Sequence, residues 1–294
     1  MERGILIAIL VIAGAGWGLT QPLTKIAVSE GYRHFGLIFW QMAISAALLS
    51  VITFARGKRL PMGWPQIRMY IVIALIGTIL PNSASYEAAR HLPAGILAIC
   101  IALVPMFAFP IALILATDRF SWLKLSGLAC GLIGVLLLVA PSASLPERAM
   151  VIFIPLALIG PLFYGLEGNV VARWGTAGLD AIQLLCGAAI VGTVISLPLA
   201  LGSGQWIDPR PPYGLPDFAL MASSVIHAIV YSTYVWMVSR AGAVFAAQVS
   251  YLVTGFGVIW AMVLLNESYS GWVWAALAIM MVGLFLVQPR KPTV

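Results

Sequence analysis

Cut at every Asp, Glu, Lys and Arg, the 294-residue sequence leaves ten charge-free runs of 18 residues or more. They are 4–24, 34–55, 69–86, 91–117, 125–146, 149–166, 181–207, 218–239, 241–266 and 268–289, numbered here as spans 1 to 10. Every other charge-free stretch is 8 residues or shorter. A helix crossing a hydrocarbon core about 30 Å thick needs about 20 apolar residues. In lipid it must also satisfy its own backbone N–H and C=O groups. A β-barrel would instead alternate apolar and polar residues over segments of about 10. The pattern predicts an all-α polytopic membrane protein with ten transmembrane helices. Charged residues make up 9% of the chain, against about 25% in soluble domains, so a water-soluble fold is excluded. The longest stretch expected outside the membrane is Gly202 to Pro216, 15 residues.

The net charge of +6 does not mark a nucleic-acid surface, because the basic residues lie between the apolar runs and act as topology signals. With the N-terminus cytoplasmic, Arg3, Arg56, Lys58, Arg59, Arg68, Arg119, Lys124, Arg173, Arg240, Arg290 and Lys291 lie inside. Lys25, Arg33, Arg90, Arg148 and Arg210 lie outside, a balance of 11 to 5. The positive-inside rule then predicts an inner (plasma) membrane protein with both termini cytoplasmic. Cys100, Cys130 and Cys186 all fall inside apolar runs, with spacing that suits neither a zinc site nor a disulfide framework. The first run reaches Thr24, too long for a signal-peptide core, and is taken as the first span.

The chain repeats itself. Thr117-Asp118-Arg119-Phe120 opens a run that ends in Gly134 and Pro141, and Asn266-Glu267-Ser268-Tyr269 opens one that ends in Gly283 and Pro289. The acidic residue and the glycine match at an offset of 149. Trp17-Gly18-Leu19 pairs more weakly with Tyr164-Gly165-Leu166. Each repeat holds five spans, 1–146 and 147–294. Five is odd, so the second repeat enters the membrane in the opposite direction. Two inverted five-helix repeats are a recurring transporter design, with the substrate bound near the midplane where the halves meet.

These features resemble the drug/metabolite transporter superfamily, EamA type: an acidic residue after the fourth span of each half, then an apolar span ending in Gly and Pro. Ala15-Gly16-Trp17-Gly18 and the segment from Leu92-Pro93-Ala94-Gly95 to Pro105 fit the same pattern. The chain departs from the family's usual Gly-Glu-Arg, with Thr117-Asp118-Arg119 and Asn266-Glu267-Ser268 in its place. Within the family it looks most like exporters of aromatic amino acids. The resemblance implies a central cavity lined by spans 1, 3, 4, 6, 8 and 9, with spans 5 and 10 at the periphery. It also implies small metabolites as substrates and no cofactor.

Polar groups inside spans are costly in lipid and tend to face the protein interior. At helical spacings of three and four, Trp17, Thr20 and Gln21 share a face of span 1. Asn82 and Tyr86 share one in span 3, His227, Tyr231 and Tyr234 in span 8, and Gln248 and Tyr251 in span 9. These ten are the candidate substrate-binding residues. Aromatic faces stack on rings or attract cations, and amides both donate and accept hydrogen bonds. Pro105 and Gly255 are candidate helix breaks for gating. Each has a plainer alternative: Trp and Tyr anchor at bilayer interfaces, Thr20 can bond its own backbone, and His227 can sit neutral between helices. Glu167 closes the charge-free run of span 6. It could pair with Arg173, take up a proton or face water, and it is a candidate coupling carboxylate against the plainer alternative of a simple cytoplasmic-end carboxylate.

The function expected is an alternating-access transporter, an exporter of small neutral or zwitterionic metabolites such as aromatic or hydrophobic amino acids. A multidrug or other metabolite carrier of the same fold is the alternative. An enzyme is disfavoured: the sequence has no His-Glu-x-x-His, no Gly-x-Ser-x-Gly with a credible triad and no acidic metal cluster. The partners expected are a small-molecule substrate and membrane lipid, and nothing in the pattern demands more than a monomer.

Overall fold

The computed structural model describes residues 3–142, 144–241 and 248–287. All its regular elements are helical. Span 1 is Arg3–Ser29 and span 2 is His34–Ala55. Span 3 runs from Trp64–Ala74 through a π-helical turn, Leu75–Ile79, into Leu80–His91. Span 4 is two pieces, Ala94–Ile101 and Val104–Ile114. Span 5 is Trp122–Val139, and span 6 is Ile154–Trp174 after a 3-10 turn at Arg148–Phe153. Spans 7 and 8 are Ala181–Gly202 and Leu215–Ala241. Spans 9 and 10 have described helices of 17 residues each, Val249–Leu265 and Gly271–Val287. The other eight are long and apolar enough to cross a membrane. Several helices outrun their charge-free cores. Span 3 begins at Trp64 and takes in Arg68, because a helix continues past a basic residue whose long stem carries its charge to the surface.

The packing follows a pseudo-two-fold relation that swaps span n with span n+5. Span 1 packs on spans 8 and 9, and span 6 repeats this on spans 3 and 4. Span 2 packs on span 8 as span 7 packs on span 3. The pairs 2 with 7, 4 with 9 and 5 with 10 meet their own counterparts, so the axis passes through all three. Spans 5 and 10 make their main contact with each other, at the periphery.

Two glycines carry this symmetry. A methyl group on Gly18 would lie 2.7 Å from Gly257 N and 3.0 Å from Val253 O. One on Gly165 would lie 2.9 Å from Ala108 N and 3.1 Å from Val104 O. Val104 and Ala108 precede Val253 and Gly257 by 149 residues, so the two contacts are one contact used twice. Helices in lipid associate by close backbone approach at small residues, and here spans 1 and 6 touch the backbones of spans 9 and 4. Gly255 does not break its helix: Val249–Leu265 is continuous, and nothing lies within 4 Å of where its methyl would sit. The close approach falls two residues on, at Gly257. Pro105 does follow a break, at Ala102 and Leu103, and opens the second piece of span 4.

The halves are also joined at both ends. At one, Asp180 caps span 7 in a reciprocal capping box with Gln183. It also accepts from Arg56 at 3.2 Å and from Lys58, both of the first half. At the other, the Glu267 carboxylate accepts from the Ala94 and Gly95 N–H groups at 2.7 and 3.1 Å, capping span 4 of the opposite half. Trp40 and Tyr32 add bonds to Ile207 O at 3.0 Å and Asp217 at 2.6 Å. Asp118, the repeat counterpart of Glu267, instead bonds Lys124 and the Arg119 N–H within its own half.

Gly18→Leu and Gly165→Leu are each expected to destabilise the fold by about 1–3 kcal/mol through overpacking, read as a lower melting temperature in detergent, with Gly255→Leu near wild type. Equal melting of all three variants would refute the repeated contact. Burial pushes the Asp180 carboxyl up, but the Lys58 and Gln183 hydrogen bonds and Arg56 outweigh it and hold it down to about 2. Against an unfolded value of about 3.9, its contribution is complete above that pH and is lost as pH falls towards 2. Asp180→Asn should therefore melt below wild type at pH 6, with the difference shrinking as pH drops from 5 to 3.

Candidate functional site

Pro81 shapes the site first. It has no N–H to offer the carbonyl four residues back, at Gly77, and its ring crowds that position. The preceding turn widens, so that Leu80 N–H reaches Leu75 O, five residues earlier. Such π turns concentrate at functional sites. This one lays the bare backbone of Gly77 against Glu167: a methyl there would lie 2.6 Å from Glu167 Oε1. Thr78, the next residue, lines a cavity between the halves.

That cavity is about 40 Å³, room for roughly two or three waters. Its polar lining is Gln41 and Ser45 from span 2, Thr78 from span 3, Glu167 from span 6, and His227 and Tyr231 from span 8; Ala188 and Ala189 of span 7 close one side. Tyr231 donates to Glu167 at 3.3 Å. The Trp17 ring packs against three rings of span 8: His227 at 5.9 Å, Tyr231 at 5.7 Å and Tyr234 at 5.9 Å. On the other side, Asn82 Nδ2 and Tyr86 OH both donate to Gln41 Oε1, at 2.8 and 2.6 Å. Tyr164 OH donates to Asn82 Oδ1 at 2.8 Å.

The structure thus brings Trp17, His227, Tyr231 and Tyr234 into one aromatic group beside Glu167, and joins Asn82 and Tyr86 through Gln41. It separates the others. Thr20 returns its hydroxyl to Trp17 O at 2.7 Å, the backbone bond that an interior Thr readily makes. Gln21 is half-buried in span 1 and Gln248 is exposed, and neither lines the cavity. The Tyr251 hydroxyl is buried with no partner among the described residues. Glu167 is not at the end of its helix. It lies two turns inside Ile154–Trp174 and forms no ion pair among the described residues, with Arg173 or any other cation.

The expected lining by spans 1, 3, 4, 6, 8 and 9 needs correction. Spans 2 and 7 border the gap, while spans 1, 4 and 9 contribute no lining residue among the described residues. The reason is the glycine contact: spans 1 and 6 lie so close on spans 9 and 4 that no space remains there. Gln41, Ser45, Thr78 and Tyr164 are site residues that the spacing argument missed. Gln41 and Ser45 do stand at i and i+4 in span 2, and Tyr164 is the repeat partner of Trp17. No group of three or more His, Cys, Asp or Glu able to hold a metal occurs among the described residues.

Comparison with known proteins agrees with this architecture. The profile of the EamA-like transporter family matches the chain twice, over residues 3–140 and 151–288. The chain belongs to that family and is a transporter, not an enzyme. It is 23% identical over 270 residues to a probable terminal-alkyne amino-acid exporter of Streptantibioticus cattleyicolor, covering 88% of this chain and 84% of the relative. It is 22% identical over 255 residues to a WAT1-related protein of Arabidopsis thaliana, covering 76% and 73%. A protein crystal structure superposes with a TM-score of 0.66 at 17% identity, covering 97% of this chain and 96% of the other, which shows a shared fold.

Single cysteines at Thr78 and Ala188, in a background lacking Cys100, Cys130 and Cys186, should react with small hydrophilic thiol reagents. A saturating transported solute should slow that reaction. Cysteines at Gln21 and Gln248 should show no such protection; protection at these two and not at the first two would place the path elsewhere.

Proposed function

We propose that this protein exports small neutral or zwitterionic metabolites with an apolar or aromatic side group, above all aromatic and hydrophobic amino acids, by alternating access. The observation that carries the reading is the make-up of the cavity wall: a carboxylate, an aromatic group and uncharged hydrogen-bonding groups, with no Lys or Arg among the described lining residues. A nucleotide or sugar phosphate would have to shed water from its charge with no cation to receive it, at a cost of several kcal/mol or more. An ammonium has Glu167 and the Tyr231 ring to meet, with Trp17 packed against that ring. The amino-acid exporter among the relatives supports both the substrate class and the direction.

In this reading the protein is a monomer in the inner membrane with both termini cytoplasmic, so the Arg56–Lys58–Asp180 end faces the cytoplasm and the Glu267 end faces outward. A cavity of about 40 Å³ is far below the roughly 300 Å³ of a small-molecule site. In this reading the gap must widen before a substrate can load. Glu167 is the coupling carboxylate: it holds the substrate's ammonium on one stroke and a proton on the return. A second reading, an organic-cation carrier, draws on the same carboxylate among aromatic rings.

Purified protein in liposomes should exchange labelled Phe and Trp and leave phosphorylated solutes behind. Trp17→Ala should slow the exchange several-fold, and Glu167→Gln should remove its pH dependence. Exchange of cationic dyes without amino acids would favour the second reading. Transport of sugar phosphates alone would overturn both.

A further inference from the structure

The two sides of the cavity differ in kind, and the difference assigns a second pole to the substrate. Gln41 Oε1 accepts from both Asn82 Nδ2 and Tyr86 OH, which occupies both of its lone pairs. Asn82 is held in turn by Tyr164 at its own oxygen. The amide of Gln41 is therefore fixed about its terminal torsion. Its Nε2 carries two N–H groups that bond no described residue, on a side chain that lines the cavity.

Ser45 lies one helical turn further along the same face, and Thr78 follows the π turn. Neither hydroxyl bonds a described residue, and both residues line the cavity. Several hydroxyls elsewhere in the spans behave differently, and those of Thr53 and Thr254, which also bond no described residue, lie outside the cavity. Ser83, Ser196, Ser224 and Ser232 each return their proton to a carbonyl four residues back, at 2.6–2.7 Å. Hydroxyls with no such bond, gathered beside a tethered amide, form a ledge of unspent donors.

Glu167, which accepts the Tyr231 hydroxyl, stands in the same wall and comes from the other half of the chain. One half thus offers donors and the other an acceptor, with an aromatic group alongside. We infer that Gln41, with Ser45 and Thr78, binds the substrate's carboxylate, and that the carrier selects α-amino acids over the corresponding amines by this contact. Asn82, Tyr86 and Tyr164 are positioning residues that keep the Gln41 amide turned donor-first. The inference rests on the amino-acid reading above and gives that reading its second recognition group.

The experiment is competition against labelled Phe exchange in proteoliposomes, with phenylalanine, phenylalaninamide and phenethylamine as unlabelled competitors. Wild type should prefer phenylalanine to either analogue by about tenfold or more, the worth of hydrogen bonds to a charged group. Gln41→Glu keeps an oxygen for Asn82 and Tyr86 but turns an acceptor into the cavity. It should weaken phenylalanine about tenfold and spare phenylalaninamide, so that the order reverses. The double variant Ser45→Ala, Thr78→Val leaves the tethered amide intact, so it answers the same question should Gln41→Glu not fold. It should raise the KM for phenylalanine several-fold without moving that for phenylalaninamide. Tyr86→Phe should give a smaller loss in the same direction.

Wild-type Phe exchange, with the order of competitors unchanged in every variant that folds, overturns the assignment of Gln41 and leaves the amino-acid reading standing. Absence of Phe exchange in wild type, with phenethylamine carried, overturns that reading and this inference with it.

Discussion

Along most of the length of each span no water is available, so every polar atom must find a partner in the protein or face a wet gap. The backbone solves this by staying helical. Ser196, Ser224 and Ser232 solve it by bonding back to their own helices. Several groups that do neither line the cavity between the halves, while the hydroxyls of Thr53, Tyr251 and Thr254 are buried elsewhere with no partner among the described residues. Gln41, Ser45, Thr78 and Glu167 are tolerable in lipid because they line a common gap rather than face the hydrocarbon. The same constraint sets the caps: Glu267 and Asp180 satisfy helix ends that would otherwise leave N–H groups bare, and both reach across from one half to the other or tie the other half down.

The two halves share packing and differ in chemistry. Gly18 and Gly165 make the same backbone contact, so the scaffold is duplicated at the level of single atoms. The neighbouring positions have diverged: Trp17 touches rings of span 8, and its counterpart Tyr164 donates to an amide of span 3. Asp118 and Glu267 also match in the repeat, yet one pairs within its own half while the other caps a helix of the opposite half. A symmetric frame with an asymmetric lining suits a solute whose two ends differ.

The membrane class, the ten spans and the repeat were legible because lipid imposes a long apolar run and duplication leaves a fixed offset. Trp17 was legible on one face of span 1 and His227, Tyr231 and Tyr234 as a stripe of span 8, and the structure brings the four together. Gln41 was not, because it stands in span 2, which the resemblance kept away from the cavity. Only the closeness of spans 1 and 6 to spans 9 and 4, a matter of backbone distance, reveals that the open space lies beside spans 2 and 7. The π turn was also hidden. Pro81 signals a disturbance, but whether a helix kinks, breaks or widens depends on its neighbours. Span 4 breaks before Pro105, whereas span 3 widens before Pro81. Glu167 sits at the edge of a charge-free run, where counting residues cannot separate a helix end from an interior.

The smallness of the cavity bears on electrical insulation. A membrane stores energy only while protons cannot hop along a continuous file of water, and a carboxylate in mid-span invites such a file. Two or three waters extend about 8 Å, against a hydrocarbon core of about 30 Å. A gap of that length covers only part of the membrane's thickness, so Glu167 borders a short pocket rather than a wire. The tight packing that excludes solute thereby also lets a titratable group lie deep in the bilayer without short-circuiting the gradient.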